Sequence, residues 1–232
     1  DTPLLPHEDL KLLAEFTATD EWVLEPGDIL YMPPGFAHNG VAVGSDCITY
    51  SVGFRAPSRS DLLGHFVDDI LDGIPDDELY RDPDLARQAN PGEILPDALV
   101  RLQQMMLESL SDPASFARWF GTFNSTPKYA DMDWQPETPV EPEDVRASIN
   151  DAVPLLRNPA SRMVFIANGD NALMLFADGV CFDCEGETSA VAKILCAQDS
   201  LVLDVDLATN AAVVDLLTQL CNMGCIAFES EE

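Results

Sequence analysis

The segment from Leu24 to Gly40 constrains the fold of this chain more than any other stretch. It contains a Pro26-Gly27 turn, a short apolar run from Asp28 to Met32, and a second turn at Pro33-Pro34-Gly35. Proline and glycine interrupt a β-ladder, so the run is predicted to be a buried strand between two reversals. His38 then lies at the mouth of the next strand.

A histidine in this position has two interpretations. A strand end holds an imidazole more rigidly than a loop does, and metal ligands in small β-barrels are commonly placed in this way. A histidine can equally well pack or form a hydrogen bond with a purely structural role. The spacing alone leaves both interpretations of His38 open.

The segment from Cys47 to Phe54 alternates in the manner of a strand. Its small residues suit the wet interior of a barrel, and its aromatic residues suit packing against an outer layer. The small set is Thr49, Ser51 and Gly53, and the larger set is Tyr50, Val52 and Phe54. The alternative is that Thr49 and Ser51 are ordinary strand residues.

The run from Leu24 to His38, followed by TYSVGFRAP from Thr49 to Pro57, resembles the distal part of a Jumonji C oxygenase barrel. More narrowly, nearly all of the chain resembles the bacterial ribosomal oxygenases that hydroxylate an arginine in a large-subunit ribosomal protein. The resemblance implies an α+β fold with four parts. These are distal strands of a double-stranded β-helix (jelly-roll or cupin) barrel in 1–57, a helical dimerisation region in 58–123, a linker in 124–142 and a winged-helix-like domain in 143–232.

The resemblance also implies an Fe(II)- and 2-oxoglutarate-dependent hydroxylase. Such sites hold iron with a His-x-Asp pair and a distal histidine, which leaves positions open for 2-oxoglutarate and oxygen. His38 corresponds to the distal histidine. Thr49 and Ser51 are the candidates for contact with 2-oxoglutarate, although relatives commonly carry Asn at the position of Thr49. No further catalytic residue is assigned, and Arg55 is interpreted as structural, paired with a carboxylate.

The His-x-Asp pair is not evident in this sequence. His7 and Asp9 have the required letters, but their surroundings are typical of a loop or a helix start. We therefore expect the pair to lie upstream, and the chain, which begins at Asp1 in Pro-rich material, to be a fragment. About eight strands close such a barrel and residues 1–57 supply perhaps three, so residues 1–232 are expected to be inactive alone.

The charge balance restricts the partners. The chain has 12 basic and 41 acidic residues, a net charge of −29, which disfavours direct binding to nucleic acid and favours a basic protein. Solubility alone would also explain this charge. No apolar run reaches the roughly 20 residues of a membrane span and no signal peptide is evident, so the cytoplasm is the default location.

Three amphipathic helices are predicted after residue 57. Ser58 or Ser60 caps the first, a stripe from Leu99 to Leu110 marks the second, and Asp112-Pro113 opens a third with several aromatic residues. His65 lies beside the stripe of the first helix and is not expected to bind metal. These helices cover the barrel or pair with a second copy, and the resemblance favours a homodimer.

The remaining residues predict a small α+β unit. Helices are expected at 143–151, 188–197 and 210–222, and strands at 163–167, 172–177, 179–182 and 225–228. Many winged helices bind DNA, but residues 141–232 hold four basic and sixteen acidic residues, a balance of −12. Docking of a protein or a structural role is therefore favoured over DNA binding.

The six cysteines are expected to be reduced, because the chain lacks secretory features. Cys181 and Cys184 have the spacing of a zinc or redox pair, and Cys221 and Cys225 lie one helical turn apart. Neither pair has a nearby histidine, so buried or half-buried free thiols are favoured over zinc.

Two other classes of function remain open. One is a non-enzymatic acidic module for dimerisation and docking. The other is a cupin-type metal protein with different chemistry, such as an isomerase. A strand-borne His-x-Asp pair upstream would select the oxygenase.

Overall fold

Regular secondary structure begins at the predicted helix after Ser58. The structure is a computed structural model that describes residues 3–6, 12–53, 56–75, 79–84, 87–128 and 132–229. The chain divides into two units, Asp1–Ala56 and Pro57–Glu232. The mixed α+β class is confirmed by the six helices and six strands of the second unit.

The first unit contains two turns and an isolated bridge between Leu4 and Leu13, but its described residues form no helix or strand. The strands predicted at 28–32 and 47–54 are therefore wrong as regular elements over 28–32 and 47–53, and Phe54 lies outside the described residues. A strand is defined by the ladder it shares with a neighbour, and the described residues of this unit supply no such neighbour. Ile29 and Tyr50 are accordingly 95% and 90% exposed.

The three predicted helices are confirmed as α1 (Arg59–Gly73), α2 (Pro96–Leu110) and α3 (Pro113–Ser125). A capping box begins α1, in which the Ser58 hydroxyl accepts from the Asp61 amide and the Asp61 carboxylate accepts from the Ser58 amide. Asp112 caps α3 by accepting from the amides of Ala114 and Ser115. Hydrogen bonds from Ser115 lower the pKa of Asp112.

Aromatic residues join α1 to α3. Phe66 lies 4.9 Å from Trp119 and 5.2 Å from Phe116 between ring centroids, and both Phe66 and Trp119 are buried. Trp119 also stacks on Phe123 at 5.3 Å. Helix α2, in contrast, has no buried residue.

The C-terminal elements agree closely with the predicted helices and strands. In chain order they are α4 (Pro142–Asn150), β1 (Leu155–Arg157), β2 (Met163–Ala167), β3 (Ala172–Ala177), β4 (Val180–Glu185), α5 (Glu187–Ala197), β5 (Ser200–Leu201), a 3-10 helix (Val205–Thr209), α6 (Ala211–Asn222) and β6 (Ile226–Phe228). The sequence did not predict β1, β5 or the 3-10 helix, because elements of two to five residues carry almost no periodic signal.

The strands form two antiparallel sheets of three. One has the order β5-β1-β6 and the other the order β2-β3-β4. Strands β3 and β4 are joined by the two-residue turn Asp178-Gly179, whose φ angles of 46° and 85° are those of a tight hairpin. The first sheet joins residues that are far apart in sequence, since Leu155 pairs with both Leu201 and Phe228.

The core lies between these sheets and helices α4, α5 and α6. Its fully buried side chains include Ile149, Leu155, Leu175, Leu195 and Leu217. Helix α3 packs against β2, β3 and β4. At that contact, a Cβ on Gly121 would lie 2.3 Å from the buried Phe176 ring, so glycine permits the close approach.

The predicted linker, 124–142, is shorter in the structure, because α3 extends to Ser125 and α4 begins at Pro142. Within it, residues 132–141 are irregular but attached to the end of α6. The Asn222 side chain donates to the Val140 carbonyl at 2.9 Å and accepts from the Val140 amide at 2.8 Å. Gly224, with φ of 73°, lies directly against the Trp134 backbone. This segment therefore packs as part of the C-terminal core.

Candidate functional site

Two turns precede the candidate metal ligand, as the sequence predicted. In the first, the Asp28 amide donates to the Glu25 carbonyl at 3.0 Å, with Pro26 and Gly27 at the centre. In the second, the Phe36 amide donates to the Pro33 carbonyl at 3.4 Å around Pro34 and Gly35. The glycines have φ angles of 98° and 85°, which a turn with glycine at its third position requires.

The second turn positions His38. The ring Nδ1 lies 3.3 Å from the Phe36 carbonyl oxygen, and the side chain is exposed. A carbonyl oxygen only accepts, so Nδ1 is the donor when this contact is a hydrogen bond. That tautomer leaves Nε2 for a metal ion. The geometry is therefore compatible with His38 as one metal ligand.

The described residues do not complete a metal site around His38. None of their histidine, cysteine, aspartate and glutamate side chains form a group of three that could hold an ion. His7 and Asp9 lie outside the described residues, as does Arg55. One imidazole would be a third of the ligand set that the resemblance implies, so the described residues alone define no iron site.

Thr49 and Ser51 are both exposed. No hydrogen bond joins either side chain to His38 within the described part of the first unit. The described residues therefore show no contact that joins His38, Thr49 and Ser51 into one site.

His65 lies on α1, and its ring centroid is 5.2 Å from that of Phe123 on α3. This contact extends the aromatic cluster of Phe66 and Trp119. His65 therefore has a packing partner in the second unit.

A polar cluster on the second unit was not predicted. Arg118 on α3 donates to the Cys181 sulfur at 2.9 Å and to both carboxylate oxygens of Asp183 at 2.9 and 3.0 Å. The bond to Asp183 raises the pKa of Arg118, and burial raises the pKa of Cys181. The alternation of Cys181 and Asp183 on one face of β4 is the only sequence signal for this cluster, because Arg118 is more than 60 residues away.

The Cys181/Cys184 spacing does not form a shared site. Residues three apart on a strand project to opposite faces, and Cys184 is buried in the core whereas Cys181 contacts Arg118. All six cysteines are free thiols. Burial raises the pKa of Cys196 to about 11 and those of Cys221 and Cys225 to about 12.

None of the helices in the described ranges is both long and apolar enough to cross a bilayer.

Two family models match the chain. The model described as JmjC domain matches residues 1–62, which include His38, Thr49 and Ser51. The model described as ROXA-like winged helix matches residues 108–227, which run from the end of α2 to β6. The second match confirms the predicted winged-helix-like domain and includes α3, in agreement with the packing of α3 on the sheet.

Curated relatives and solved structures agree with these matches. The chain is 38% identical over 170 residues to the ribosomal protein uL16 3-hydroxylase of Escherichia coli, across 71% of this chain and 45% of that protein. It is 29% identical over 133 residues to a probable ribosomal oxygenase of Haemophilus influenzae, across 51% of this chain and 30% of that protein. The chain thus spans less than half the length of these relatives.

Solved structures of YcfD, a ribosomal oxygenase from Escherichia coli, match with a TM-score of 0.64 and 28% identity. They cover 77% of this chain and 48% of that one, and were solved with cobalt and either succinic acid or 2-oxoglutarate. Fold and matches together define an α+β chain that joins a JmjC segment to a winged helix. The chain belongs to the family described as ROXA-like winged helix, and its first 62 residues match the JmjC domain.

Proposed function

We propose that the whole protein is an Fe(II)- and 2-oxoglutarate-dependent hydroxylase that acts on an arginine side chain of a ribosomal protein. The observation that carries this proposal is the JmjC match over the segment in which a Pro-Gly turn presents His38 with Nε2 available. A relative that is named a ribosomal protein 3-hydroxylase supports the class of substrate. Action on a ribosomal protein agrees with a cytoplasmic location.

In this proposal, His38 is one of three iron ligands, and an upstream His-x-Asp pair supplies the others. Thr49 and Ser51 offer hydroxyl groups to 2-oxoglutarate. Iron with 2-oxoglutarate supplies the oxygen-activating chemistry needed to hydroxylate an unactivated carbon. The contribution of this chain is to orient the His38 ring through the Phe36 carbonyl, which holds the hydrogen on Nδ1.

The test is iron-dependent decarboxylation of 2-oxoglutarate, measured as released carbon dioxide. We expect residues 1–232 to show none, and the natural polypeptide with an upstream strand-borne His-x-Asp pair to show it. In that polypeptide, His38→Ala should abolish turnover and lower iron content. The matched control is His65→Ala, which removes an imidazole that packs on Phe123 and should preserve iron binding.

Turnover by residues 1–232 alone would contradict the proposal that two of the three iron ligands lie upstream of this chain. A natural polypeptide that lacks a His-x-Asp pair, or that keeps its iron after His38→Ala, would overturn the oxygenase assignment. Hydroxylation is detected as a mass increase of one oxygen atom. Decarboxylation without a hydroxylated ribosomal protein would overturn the assigned substrate and leave a 2-oxoglutarate-dependent oxygenase that acts on another molecule.

We further propose a homodimer that buries α2. This helix has no buried residue, and one apolar stripe of it is exposed, with Leu99 at 55%, Leu102 at 40% and Met106 at 66%. Exposed apolar surface of this kind marks an association site. Leu102→Glu should convert a dimer to a monomer in sedimentation analysis, whereas Gln104→Glu, on the opposite face of α2, should not.

The same exposed helix is the observation that favours the alternative, a non-enzymatic dimerisation and docking module. That alternative predicts a dimer whose longer natural form binds neither iron nor 2-oxoglutarate. Metal analysis and 2-oxoglutarate binding on the same sample as the sedimentation experiment therefore separate the two functions.

A further inference from the structure

Strand β4 has a free edge on the winged-helix unit. In the order β2-β3-β4, β4 has β3 as its one paired strand among the described residues. The two-residue hairpin makes Ala177 and Val180 the closing pair, so hydrogen-bonded pairs recur at every second residue of β4. The main-chain groups of Cys181 and Asp183 therefore point away from β3, toward the outer edge.

A groove follows this edge. Five consecutive residues of β4, 181–185, line it. A groove over one face of a strand would contact every second residue, so the groove must run along the edge. The opposite wall is one face of α6, formed by residues at helical spacing: Ala212, Asp215, Leu216 and Gln219. The volume of about 490 Å³ lies within the usual range for ligand clefts.

The groove has an apolar floor and acidic walls. Leu216 and Cys184 are buried, and Phe182 is half-buried against the core. Asp183 and Glu185 lie on the strand wall and Asp215 lies on the helix wall, and the lining residues include no lysine or arginine. Arg118 pairs with Asp183 from the α3 side, and Gln219 donates to Asp215 at 2.8 Å. The carboxylate of Glu185 accepts no hydrogen bond within the described part of the chain.

We propose that an extended basic segment of the protein partner binds in this groove as an added strand on β4. The main chain of the segment would pair with the outward groups of Cys181 and Asp183. Its alternate side chains would place lysine or arginine beside Glu185 and Asp215, and apolar groups over Leu216. Strand addition draws affinity from main-chain hydrogen bonds and specificity from the alternate side chains.

The acidic charge of the groove walls favours a basic segment as the ligand. Ribosomal proteins are rich in basic residues because they bind RNA phosphates, so the inference rests on the proposed function for the identity of its partner. Acidic residues on an edge strand oppose pairing with a second copy of the same strand. They repel nucleic acid for the same reason, and a basic extended segment is the complement that remains.

The test uses the full 232-residue chain and a synthetic peptide of alternating lysine and valine, with affinity measured by calorimetry. Two versions of the peptide are N-methylated on alternate residues, one on each edge. Methylation of the edge that pairs with β4 removes two or more donors and should weaken binding about tenfold. Methylation of the opposite edge should leave the affinity unchanged, and neither version alters the folding of the protein.

Protein variants then test the charges. Glu185→Gln with Asp215→Asn should weaken binding about fivefold. The matched control removes the same charge from the neighbouring cleft between α5 and β5, through Glu187→Gln with Asp204→Asn, and should leave the affinity unchanged. Thermal unfolding checks that both variants are folded.

Equal loss in the two pairs of variants would mean that the overall charge of the domain attracts the peptide, and would overturn the proposal. Equal sensitivity to methylation of either edge, or insensitivity to both, would overturn strand addition. The assay contains no iron or 2-oxoglutarate. A failure here would therefore leave the turnover and mass measurements of the proposed function untouched.

Discussion

The first unit and the winged-helix domain have similar local signals but very different burial. Both carry glycine-containing turns and short apolar runs that predict strands: the turns are Pro-Gly in the first unit, and Asn168-Gly169 and Asp178-Gly179 in the domain. In the winged-helix domain these runs are paired and buried, and Leu175 on β3 is fully inaccessible. In the first unit Ile29 is 95% exposed, although its turn forms as predicted. The difference shows that a turn is encoded locally, whereas a strand needs its neighbour.

The comparison also separates the two candidate sites. His38 is positioned by its own turn, through a hydrogen bond to a residue two positions earlier. The edge groove is formed by β4 and α6, which begin more than 30 residues apart. A turn between near neighbours can position one histidine, whereas a groove with two walls needs a strand and a helix that pack together.

The largest expected effect is the difference in unfolding free energy between two isoleucine-to-alanine substitutions, one in each region. Ile226→Ala on β6 removes a side chain that is 2% exposed, and should lower the free energy of unfolding by about 2–5 kcal/mol. Ile29→Ala removes an exposed side chain and should change it by less than about 0.5 kcal/mol. Urea unfolding measures both, and a large effect of Ile29→Ala would break the contrast in burial.

A glycine pair tests packing within the C-terminal core. Gly224 and Gly169 have φ angles of 73° and 91°, but only Gly224 has a close neighbour, the Trp134 backbone oxygen at 2.2 Å from an added Cβ. Gly169→Ala should cost about 1–2 kcal/mol for its backbone conformation alone. Gly224→Ala should cost about 1–3 kcal/mol more because of overpacking. Equal losses of unfolding free energy would show that residues 132–140 do not pack there.

The cysteines predict a weaker, pH-dependent effect. Burial raises the pKa of Cys221 and Cys225 from 9.0 to about 12, so the folded state keeps protons that the unfolded state releases. Their contribution to stability is complete below pH 9 and is lost as the pH rises toward 12. The loss at pH 10 should be on the order of 1 kcal/mol per thiol.

Urea unfolding at pH 8 and pH 10 measures this loss. In the variant Cys221→Ala with Cys225→Ala, the difference between the two pH values should shrink. Cys47→Ala is the control from the first unit, where the thiol is exposed, and should leave the difference unchanged. If Cys47→Ala alters it as much, burial is not the cause.

The smallest effect concerns Arg118 and Asp183. Their side chains are 50% and 68% exposed, and exposed pairs contribute about 0.2–1 kcal/mol. A double-mutant cycle with Arg118→Met and Asp183→Asn should give a coupling energy in that range, reduced by added salt. A coupling energy well above that range would mean that the pair stabilises the packing of α3 on β4 more than an exposed ion pair does.

The sequence by itself determined the helix caps and the tight turns of this protein. Ser58, Asp112 and Asn210 begin helices within a residue of their predicted starts, because a cap is recognised by side chains three positions away. The glycines at 27 and 35 likewise predict their turns, and with them the position of His38. Each cap side chain accepts from backbone amides two or three positions along the chain, so these features depend on near neighbours and can be read from the sequence.

Tertiary structure decided what these elements contact. The pairing of β1 with β5 and β6, the docking of Gly121 on Phe176, and the contact of Arg118 with β4 all join residues more than 40 positions apart. No periodic pattern encodes such partners, because they depend on how faces and edges meet after folding. The same reason explains why the sequence predicted a single histidine ligand but not the edge groove.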